Sequence, residues 1–219
     1  FYRSGGDGTL ASGARLASYP SARSQVQAVE IGDVDGNGDD EVLIQVAAVI
    51  PNVPSSWYTV YLGSTPISVS EPGYVLTGTG DLDGDGRDDL MARAGYGPVS
   101  GTGLTFLRST GSGFSAFPSG LVPDTGGRAV SVLADLNDDA RTDLVAVTPS
   151  TSTLSWWNGG GNGSFLEPFG APVLSSALDA SPTAMAVGDL DGDGLDDVLI
   201  ANGDEPFAPV TVVANDSVV

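Results

Sequence analysis

Short apolar segments alternate along this chain with segments rich in Gly and Asp. The apolar segments are four to eight residues long and contain many Val, Leu and Ile, which predicts β-strands rather than helices. They occur in pairs, one on each side of four aspartate-rich windows. The pairs are 26–31 and 42–49, 74–79 and 90–94, 129–134 and 144–147, and 184–188 and 198–201. Several are almost continuously apolar, which predicts sheets that are buried on both faces.

The aspartate-rich windows form a repeat. They occupy residues 33–41, 81–89, 135–143 and 189–197, so their first residues are 48, 54 and 54 positions apart. A weaker repeat of strand, glycine-rich turn and strand occurs at 61–65, 106–114 and 157–165, and residues 1–10 resemble the same unit. A period of about 50 residues is typical of β-propeller blades.

The sequence therefore predicts an all-β fold: a β-propeller, or part of one, with four-stranded antiparallel blades in about four repeats. Residues 1–219 are interpreted as one repeat domain, with a partial blade at 1–20 and repeats at about 21–73, 74–127, 128–181 and 182–219. Three ways of completing the ring stay open: a small ring within the chain, a larger propeller, or a homo-oligomer.

The charge of the chain is strongly negative and unevenly distributed. Asp and Glu number 28 against eight basic residues, all Arg, and 19 of the acidic residues lie in the four windows. A net charge of −20 repels nucleic acid and anionic lipid, so no nucleic-acid partner is expected. No apolar stretch is long enough for a membrane span, so no membrane insertion is expected either. Carboxylates clustered in this way require a cation.

The pattern within each window suits Ca²⁺, which takes about six to eight oxygen ligands. Carboxylates at positions 1, 3 and 5 aim alternate side chains at one point, while position 7 adds a backbone carbonyl and position 9 a last carboxylate. Gly at positions 4 and 6 allows the tight turn. The predicted ligands are Asp33, Asp35, Asn37, Asp39 and Glu41; Asp81, Asp83, Asp85, Arg87 and Asp89; Asp135, Asn137, Asp139, Arg141 and Asp143; and Asp189, Asp191, Asp193, Leu195 and Asp197.

Up to four Ca²⁺ ions are expected, with unequal affinities. The second and fourth windows carry carboxylates at positions 1, 3, 5 and 9, whereas the first has Asn37 at position 5 and the longer Glu41 at position 9. The third has Asn137 at position 3, Asp138 in place of Gly, and Ala140 where a positive φ is expected. Affinity is predicted to fall from the second and fourth windows, through the first, to the third.

Two other interpretations of the windows are weaker. An EF-hand needs a Glu at position 12 and flanking helices, whereas position 12 is occupied by Ile44, Ala92, Ala146 and Ile200 and the flanks are strands. Asp-Gly pairs also form ordinary hairpin turns, but four windows in register favour a metal site. Mg²⁺ is less favoured than Ca²⁺ because it keeps several waters and strict octahedral geometry.

An apolar strand, the sequence Asp-x-Asp-Gly-Asp-Gly-x-x-Asp and a second apolar strand, repeated in this way, resemble the FG-GAP/VCBS repeats. Those repeats occur in the β-propeller of integrin α subunits and in many secreted bacterial proteins. The resemblance covers nearly all of the chain and is most specific at 81–89 and 189–197. It implies structural calcium that pins the loops between the inner strands, and an extracellular or periplasmic location.

Little in the sequence points to catalysis. His, Cys and Lys are absent, which excludes the usual nucleophile pairs, although a glycosidase needs only two carboxylates. Trp57, Tyr58 and Trp156 are candidates for stacking on sugar rings, whereas Trp157 aligns with blade-packing aromatics. The sequence thus predicts a secreted, non-catalytic, lectin-like recognition or adhesion module for a glycan or protein ligand. The alternative is an accessory or scaffold domain of a larger secreted enzyme or toxin.

Overall fold

The structure is a computed structural model, and it describes residues 2–4, 10–12, 24–48, 58–62, 65–69, 74–94, 104–117, 130–148, 153–165, 182–203 and 210–215. These residues contain strands and turns and no helix. The strands are β1 Tyr2–Ser4, β2 Leu10–Ser12, β3 Ser24–Gly32, β4 Glu41–Ala48, β5 Tyr58–Leu62, β6 Thr65–Val69, β7 Tyr74–Gly80, β8 Asp89–Ala94, β9 Leu104–Ser109, β10 Phe114–Ala116, β11 Val130–Ala134, β12 Asp143–Thr148, β13 Thr153–Trp157, β14 Pro182–Gly188, β15 Asp197–Asn202 and β16 Val210–Val213. The all-β prediction is confirmed.

The strands form antiparallel sheets that follow one another along the chain. Blade one contains β3 and β4, with the β5–β6 hairpin beside β4, and blade two is the four-stranded sheet β7–β8–β9–β10. Blade three contains β11, β12 and β13, and blade four contains β14, β15 and β16. In each blade the first two strands are joined by one of the aspartate-rich windows, called loops one to four below.

The first strands of the blades are neighbours in space. Strand β3 contacts β7, β7 contacts β11, and β11 contacts β14. Side by side in chain order, with later strands farther out in each sheet, they form the arrangement of propeller blades. The described sheets are therefore part of a β-propeller, as the sequence predicts. In the described part of the chain, no helix has the length and hydrophobicity that crossing a bilayer would need.

Each hydrophobic core lies between two successive blades. One contains Val34 and Leu43 of blade one with Leu90 and Leu107 of blade two. The other two cores are built in the same way from two successive blades. Leu82, Met91 and Phe106 of blade two pack with Leu144 of blade three. Leu136, Val145 and Val147 of blade three pack with Val198 and Ile200 of blade four. Alternate residues of a middle strand thus face opposite neighbours, which explains the continuously apolar segments.

Position 2 of each loop is a contact between blades. Val34, Leu82 and Leu136 are 0%, 3% and 8% exposed, and each belongs to the core shared with the following blade. Its backbone carbonyl also accepts a hydrogen bond from that blade, from Ser109 Oγ, Gly163 N and Asn215 Nδ2, at 2.5, 2.7 and 2.5 Å respectively. The loops therefore tie each blade to the next.

Candidate metal centres

In each loop the carboxylate at position 1 accepts hydrogen bonds from backbone N–H groups later in the same loop. Asp81 Oδ1 accepts hydrogen bonds from Gly84 N at 2.7 Å and Asp85 N at 3.2 Å, and its Oδ2 accepts from Gly86 N at 2.9 Å. Asp33, Asp135 and Asp189 make equivalent bonds in their own loops. These bonds draw positions 4 to 6 around one carboxylate.

Positions 3 and 5 make shorter turns of the same kind. Asp35, Asn137 and Asp191 at position 3 each accept a hydrogen bond from the backbone N–H two residues later. Asn37, Asp85, Asp139 and Asp193 do the same at position 5, accepting from the N–H of Asp39, Arg87, Arg141 and Leu195. One oxygen of each side chain thereby fixes the loop. These turns explain why short Asp or Asn side chains alternate.

Positions 4 and 6 have positive φ in every loop. Gly84 and Gly86 have φ of 76° and 82°, and the glycines of loops one and four are similar. In loop three Asp138 and Ala140 adopt φ of 56° and 62°. Ala has a Cβ that opposes this conformation, so loop three carries backbone strain that the glycine loops do not.

In three loops the carboxylates converge. Oxygens lie within 4.8 Å of one another in Asp33, Asp35 and Glu41, in Asp81, Asp83 and Asp85, and in Asp189, Asp191 and Asp197. Among the described residues, loop three provides no such group of three. Several acidic clusters of this protein could therefore hold a metal ion, and loop three, which the sequence predicts to be weakest, is the least suited to do so.

Position 9 has a second role that the sequence did not indicate. Asp89 Oδ2 accepts from Leu82 N at 3.0 Å, and its Oδ1 accepts from Ser109 N at 2.7 Å at the far end of β9. Asp143 and Asp197 likewise accept from the backbone N–H at position 2 of their own loops. Each also accepts from a backbone N–H two residues after the third strand of its blade, Gly159 N for Asp143 and Asn215 N for Asp197. The position 9 carboxylate therefore joins the loop to the outer part of its blade.

Burial of the position 9 carboxylate disfavours its charged form, as the pKa of Asp89 shows. Its side chain is fully buried, and burial raises the pKa of Asp89 to about 7. The hydrogen bonds from Ser109 and Leu82 lower the pKa, while the nearby charges of Asp83 and Asp81 raise it. Burial likewise raises the pKa of Asp143. A cation in the adjacent loop would favour the charged form.

Loop two contains a buried carboxylate oxygen that shows whether its residues fit a metal ion. The side chain of Asp83 is 6% exposed, and its Oδ1 is buried without a hydrogen-bond partner in the described structure. A buried carboxylate oxygen without a partner is costly. The missing interaction would be supplied by a cation held between Asp81, Asp83 and Asp85, so the residues present fit a hard divalent metal.

Two guanidinium groups flank the same loop. Arg87 forms an ion pair with Asp85 Oδ2, and Arg108 of β9 forms an ion pair with Asp83 Oδ2. A nitrogen of Arg108, Nη2, also lies 3.6 Å from Asp85 Oδ2. Arg108 was not a sequence candidate, because it lies 25 positions after Asp83 and meets the loop only when β9 pairs with β8. It would compete with a metal for two predicted ligands.

We expect replacement of Arg108 by Gln to strengthen calcium binding at loop two by about two- to five-fold. Arg108 is half exposed, so its ion pair contributes at most about 1 kcal/mol. Calcium titration by calorimetry measures the change. Arg93→Gln, the same loss of charge at the far end of β8, should leave the affinity unchanged. Weaker binding in Arg108→Gln would mean that the guanidinium supports the site.

The aromatic residues predicted to stack on sugar rings lie in different parts of the chain. Trp57 lies outside the described residues, and Tyr58 is the first residue of β5. Trp156 and Trp157 are successive residues of β13 and point to opposite faces. Trp157 packs against the core shared by blades two and three, whereas Trp156 is 37% exposed.

Trp156 lines a cavity of about 220 Å³ between blades three and four. The cavity wall also includes Asn158 and Asn215, the apolar side chain of Val213, and two loop residues, Asn137 of loop three and Leu195 of loop four. The lining is mainly apolar, and its polar groups are three amide side chains and the carboxylate of Asp143. This cavity therefore adjoins two of the aspartate-rich loops, which the sequence alone did not indicate.

Comparison with known proteins gives a family and a fold. The sequence matches the FG-GAP-like repeat over residues 81–146 and again over 135–200, which together cover more than half of the chain. No curated protein matches it. Among solved structures, the rhamnogalacturonan lyase PL11 of Bacillus licheniformis is similar at a TM-score of 0.50 and 16% identity, over 88% of this chain and 41% of that one.

A second similar structure is an Agrocybe aegerita lectin that recognises non-reducing terminal N-acetylglucosamine. It has a TM-score of 0.45 and 18% identity, over 85% of this chain and 51% of the lectin. The chain thus spans about half, or less, of the length of the structures it resembles. At these identities the likeness concerns the fold.

Proposed function

Because the chain belongs to the FG-GAP-like repeat family, we propose that it is a calcium-stabilised, non-catalytic β-propeller module that recognises carbohydrate outside the cell. The observation that supports recognition is the cavity at Trp156. The supports for calcium are the three carboxylate clusters and the buried oxygen of Asp83 that has no partner. An exported location follows from the metal, since modest sites need the high calcium concentrations found outside the cytosol.

The cavity has the chemistry that a sugar requires. The apolar face of a sugar ring stacks on an aromatic ring such as Trp156, and its hydroxyls pair with amides such as those of Asn137 and Asn158. At about 220 Å³ the cavity is smaller than the roughly 300–1,000 Å³ of pockets for drug-sized ligands. It suits one sugar residue at the end of a glycan chain.

Calcium and recognition are coupled in this proposal. Asn137 is position 3 of loop three, and Leu195 is position 7 of loop four, so the shape of the cavity depends on how both loops are wrapped. A metal in loop four would hold Asp189, Asp191 and Asp197 together. Because Leu195 lies between Asp191 and Asp197 in the sequence, its position would be restrained as well. Bound Ca²⁺ supplies charge neutralisation and loop order. The contacts with the glycan belong to the side chains of the cavity.

The test is a glycan array probed in millimolar calcium and again in EDTA. Glycans ending in N-acetylglucosamine and fragments of rhamnogalacturonan are the first two probes, chosen from the names of the similar structures. We expect binding that requires calcium. Absence of binding to every glycan in calcium would overturn the proposal and favour an accessory or scaffold domain.

We expect Trp156→Ala to weaken the binding of the best glycan by at least about tenfold, since a buried aromatic contact at a binding site is typically a hot spot. Trp156→Phe keeps a ring and should retain part of the affinity. Trp156 is only 37% exposed, so Trp156→Ala also loses buried apolar surface, and binding is compared at a temperature at which both variants are folded. Binding that survives in Trp156→Ala and disappears in Trp57→Ala would assign the glycan to a different site.

A further inference from the structure

A second cavity, of about 390 Å³, lies along the first strands of blades two, three and four. We call it the inner-strand cavity. Its wall combines one guanidinium, three hydroxyls and apolar side chains, which belong to Arg93 of β8, to Thr77, Ser131 and Thr183 of β7, β11 and β14, and to Val132 and Met185. The volume falls within the range of roughly 300–1,000 Å³ that is usual for small-molecule sites.

The inner-strand cavity lies toward the end of the blades that is opposite the aspartate-rich loops. Arg93 pairs with Val75 near the start of β7, whereas loop two follows Gly80 at the other end of that strand. Ser131 and Thr183 are likewise the second residues of β11 and β14. The described residues of the wall include no carboxylate, although the chain has 28 acidic residues. A negatively charged ligand could therefore approach this cavity without meeting the loops.

The hydroxyl of Ser131 has no hydrogen-bond partner in the part of the chain that the structure describes. Ser131 is 7% exposed, and its Oγ is buried at the wall of the cavity. A buried hydroxyl without a partner is costly, because it has lost its bonds to water and gained none in return. A ligand oxygen in the cavity would supply the partner that this hydroxyl lacks.

Two β-bulges bring further hydroxyls to the cavity. Thr77 and Thr183 are the extra residues at the register shifts of blades two and four, and bulges of this kind redirect side chains. Thr77 Oγ1 donates a hydrogen bond to Met91 O at 3.4 Å, and Thr183 Oγ1 donates to Ala201 O at 3.3 Å. Because each hydroxyl proton is already used, both oxygens are left to accept hydrogen bonds from hydroxyls of a ligand.

Arg93 gives the cavity its charge. Arg87 and Arg108 are paired with carboxylates of loop two, whereas Arg93 is exposed and forms no ion pair with the described residues. A guanidinium can bind a carboxylate through two parallel hydrogen bonds. One guanidinium balances one negative charge, so a single carboxylate suits the cavity better than a doubly charged phosphate does.

We propose that the inner-strand cavity binds an acidic sugar, a ring that carries one carboxylate and several hydroxyls. Arg93 pairs with the carboxylate, and the hydroxyl of Ser131 gains its partner from the ring. Thr77 and Thr183 accept hydrogen bonds from ring hydroxyls, while the apolar side chains of β11 and β14 cover the face of the ring. This site is separate from the cavity at Trp156, so the two proposals can fail independently.

The test is a titration of the 219-residue chain with glucuronate, and with glucose as its uncharged counterpart, followed by amide NMR spectra. Free calcium is held constant, because sugar acids also bind calcium. We expect saturable binding of glucuronate at millimolar concentrations, with the largest shifts at Ser131 and its neighbours in β11. Equal binding of glucose, no binding of glucuronate, or shifts confined to the surroundings of Trp156 would each overturn the proposal.

We expect Arg93→Gln to weaken the binding of glucuronate by at least about fivefold, since it removes a charge-assisted pair. Ser131→Ala should weaken it by about two- to tenfold without lowering the thermal midpoint of the free protein, because the hydroxyl it removes is unpartnered in the described structure. Ser115→Asp makes the net charge more negative by the same amount as Arg93→Gln, at an exposed position of β10, and should leave the affinity unchanged. Equal losses in Ser115→Asp and Arg93→Gln would reduce the binding to general electrostatics and overturn the site.

A free sugar acid and a uronate residue at the end of a glycan share this chemistry. Methyl glucuronide distinguishes them, because its anomeric oxygen is blocked as it is in a glycan. Binding as tight as that of glucuronate would support a glycan residue as the ligand. Binding of glucuronate alone would support the free acid.

Discussion

We expect removal of calcium to lower the thermal midpoint of this protein by about 15–30 °C. Each site that binds an ion a hundredfold below the free concentration adds about 2.7 kcal/mol to stability, so three sites add about 8 kcal/mol. A domain of this size loses about 2–4 °C for each kcal/mol. Because net stability is typically about 5–15 kcal/mol, the apo-protein is expected to be partly unfolded at physiological temperature.

The physical reason lies in the carboxylate clusters. Asp81, Asp83 and Asp85 converge within 4.8 Å, and in the part of the chain that the structure describes the positive charges paired with them are those of Arg87 and Arg108. Loop four has no Arg in an ion pair with it among the described residues. It should therefore respond to calcium more strongly than loop two.

Calorimetric scans in calcium, in EDTA and in EDTA with excess magnesium measure the effect. Magnesium should restore only a small part of the stability, because it prefers near-ideal octahedral geometry with retained waters. Asp189→Asn, which removes one charge from loop four, should abolish part of the difference between the calcium and EDTA scans. The same midpoint in calcium and EDTA would contradict a structural metal.

Leu82→Ala reduces the free energy of unfolding by about 2–5 kcal/mol, whereas Leu190→Ala reduces it by less than about 1 kcal/mol. Both residues occupy position 2 of a glycine-rich loop. Leu82 is 3% exposed in the core of blades two and three, and its truncation leaves a cavity. Leu190 is 52% exposed, so its truncation removes little buried surface.

Urea unfolding in excess calcium, followed by tryptophan fluorescence, measures the two energies. Equal costs for Leu82→Ala and Leu190→Ala would contradict the role of position 2 as a contact between blades.

The sequence predicts most of the local structure because its signals are local. The alternation of Asp and Gly in 81–89 fixes the hydrogen bonds of positions 1, 3 and 5, which all lie within a few residues of their acceptors. The continuous apolar segments identify strands such as β8 and β12 because both of their faces are buried. Positive φ at Ala140 follows from the register with the glycine loops.

The features that could not be predicted depend on contacts between distant residues. The bond from Ser109 N to Asp89 and the pairing of Arg108 with Asp83 exist only after β9 has docked on β8. The cavity at Trp156 exists only between two assembled blades. No spacing in the sequence encodes these distances, and the blade boundaries and the ligand sets of the four loops remain predictions.

The cores that join successive blades also fix how local stability varies along the molecule. A blade that packs against a neighbour on both faces is supported on both sides, so local unfolding should be rarer there than in a blade with one exposed face. Strand β12 is buried along almost its whole length, whereas β3 and β16 each have one face exposed to solvent. Amide hydrogens should therefore exchange more slowly in β12 and β8 than in β3 and β16, as hydrogen exchange followed strand by strand would measure.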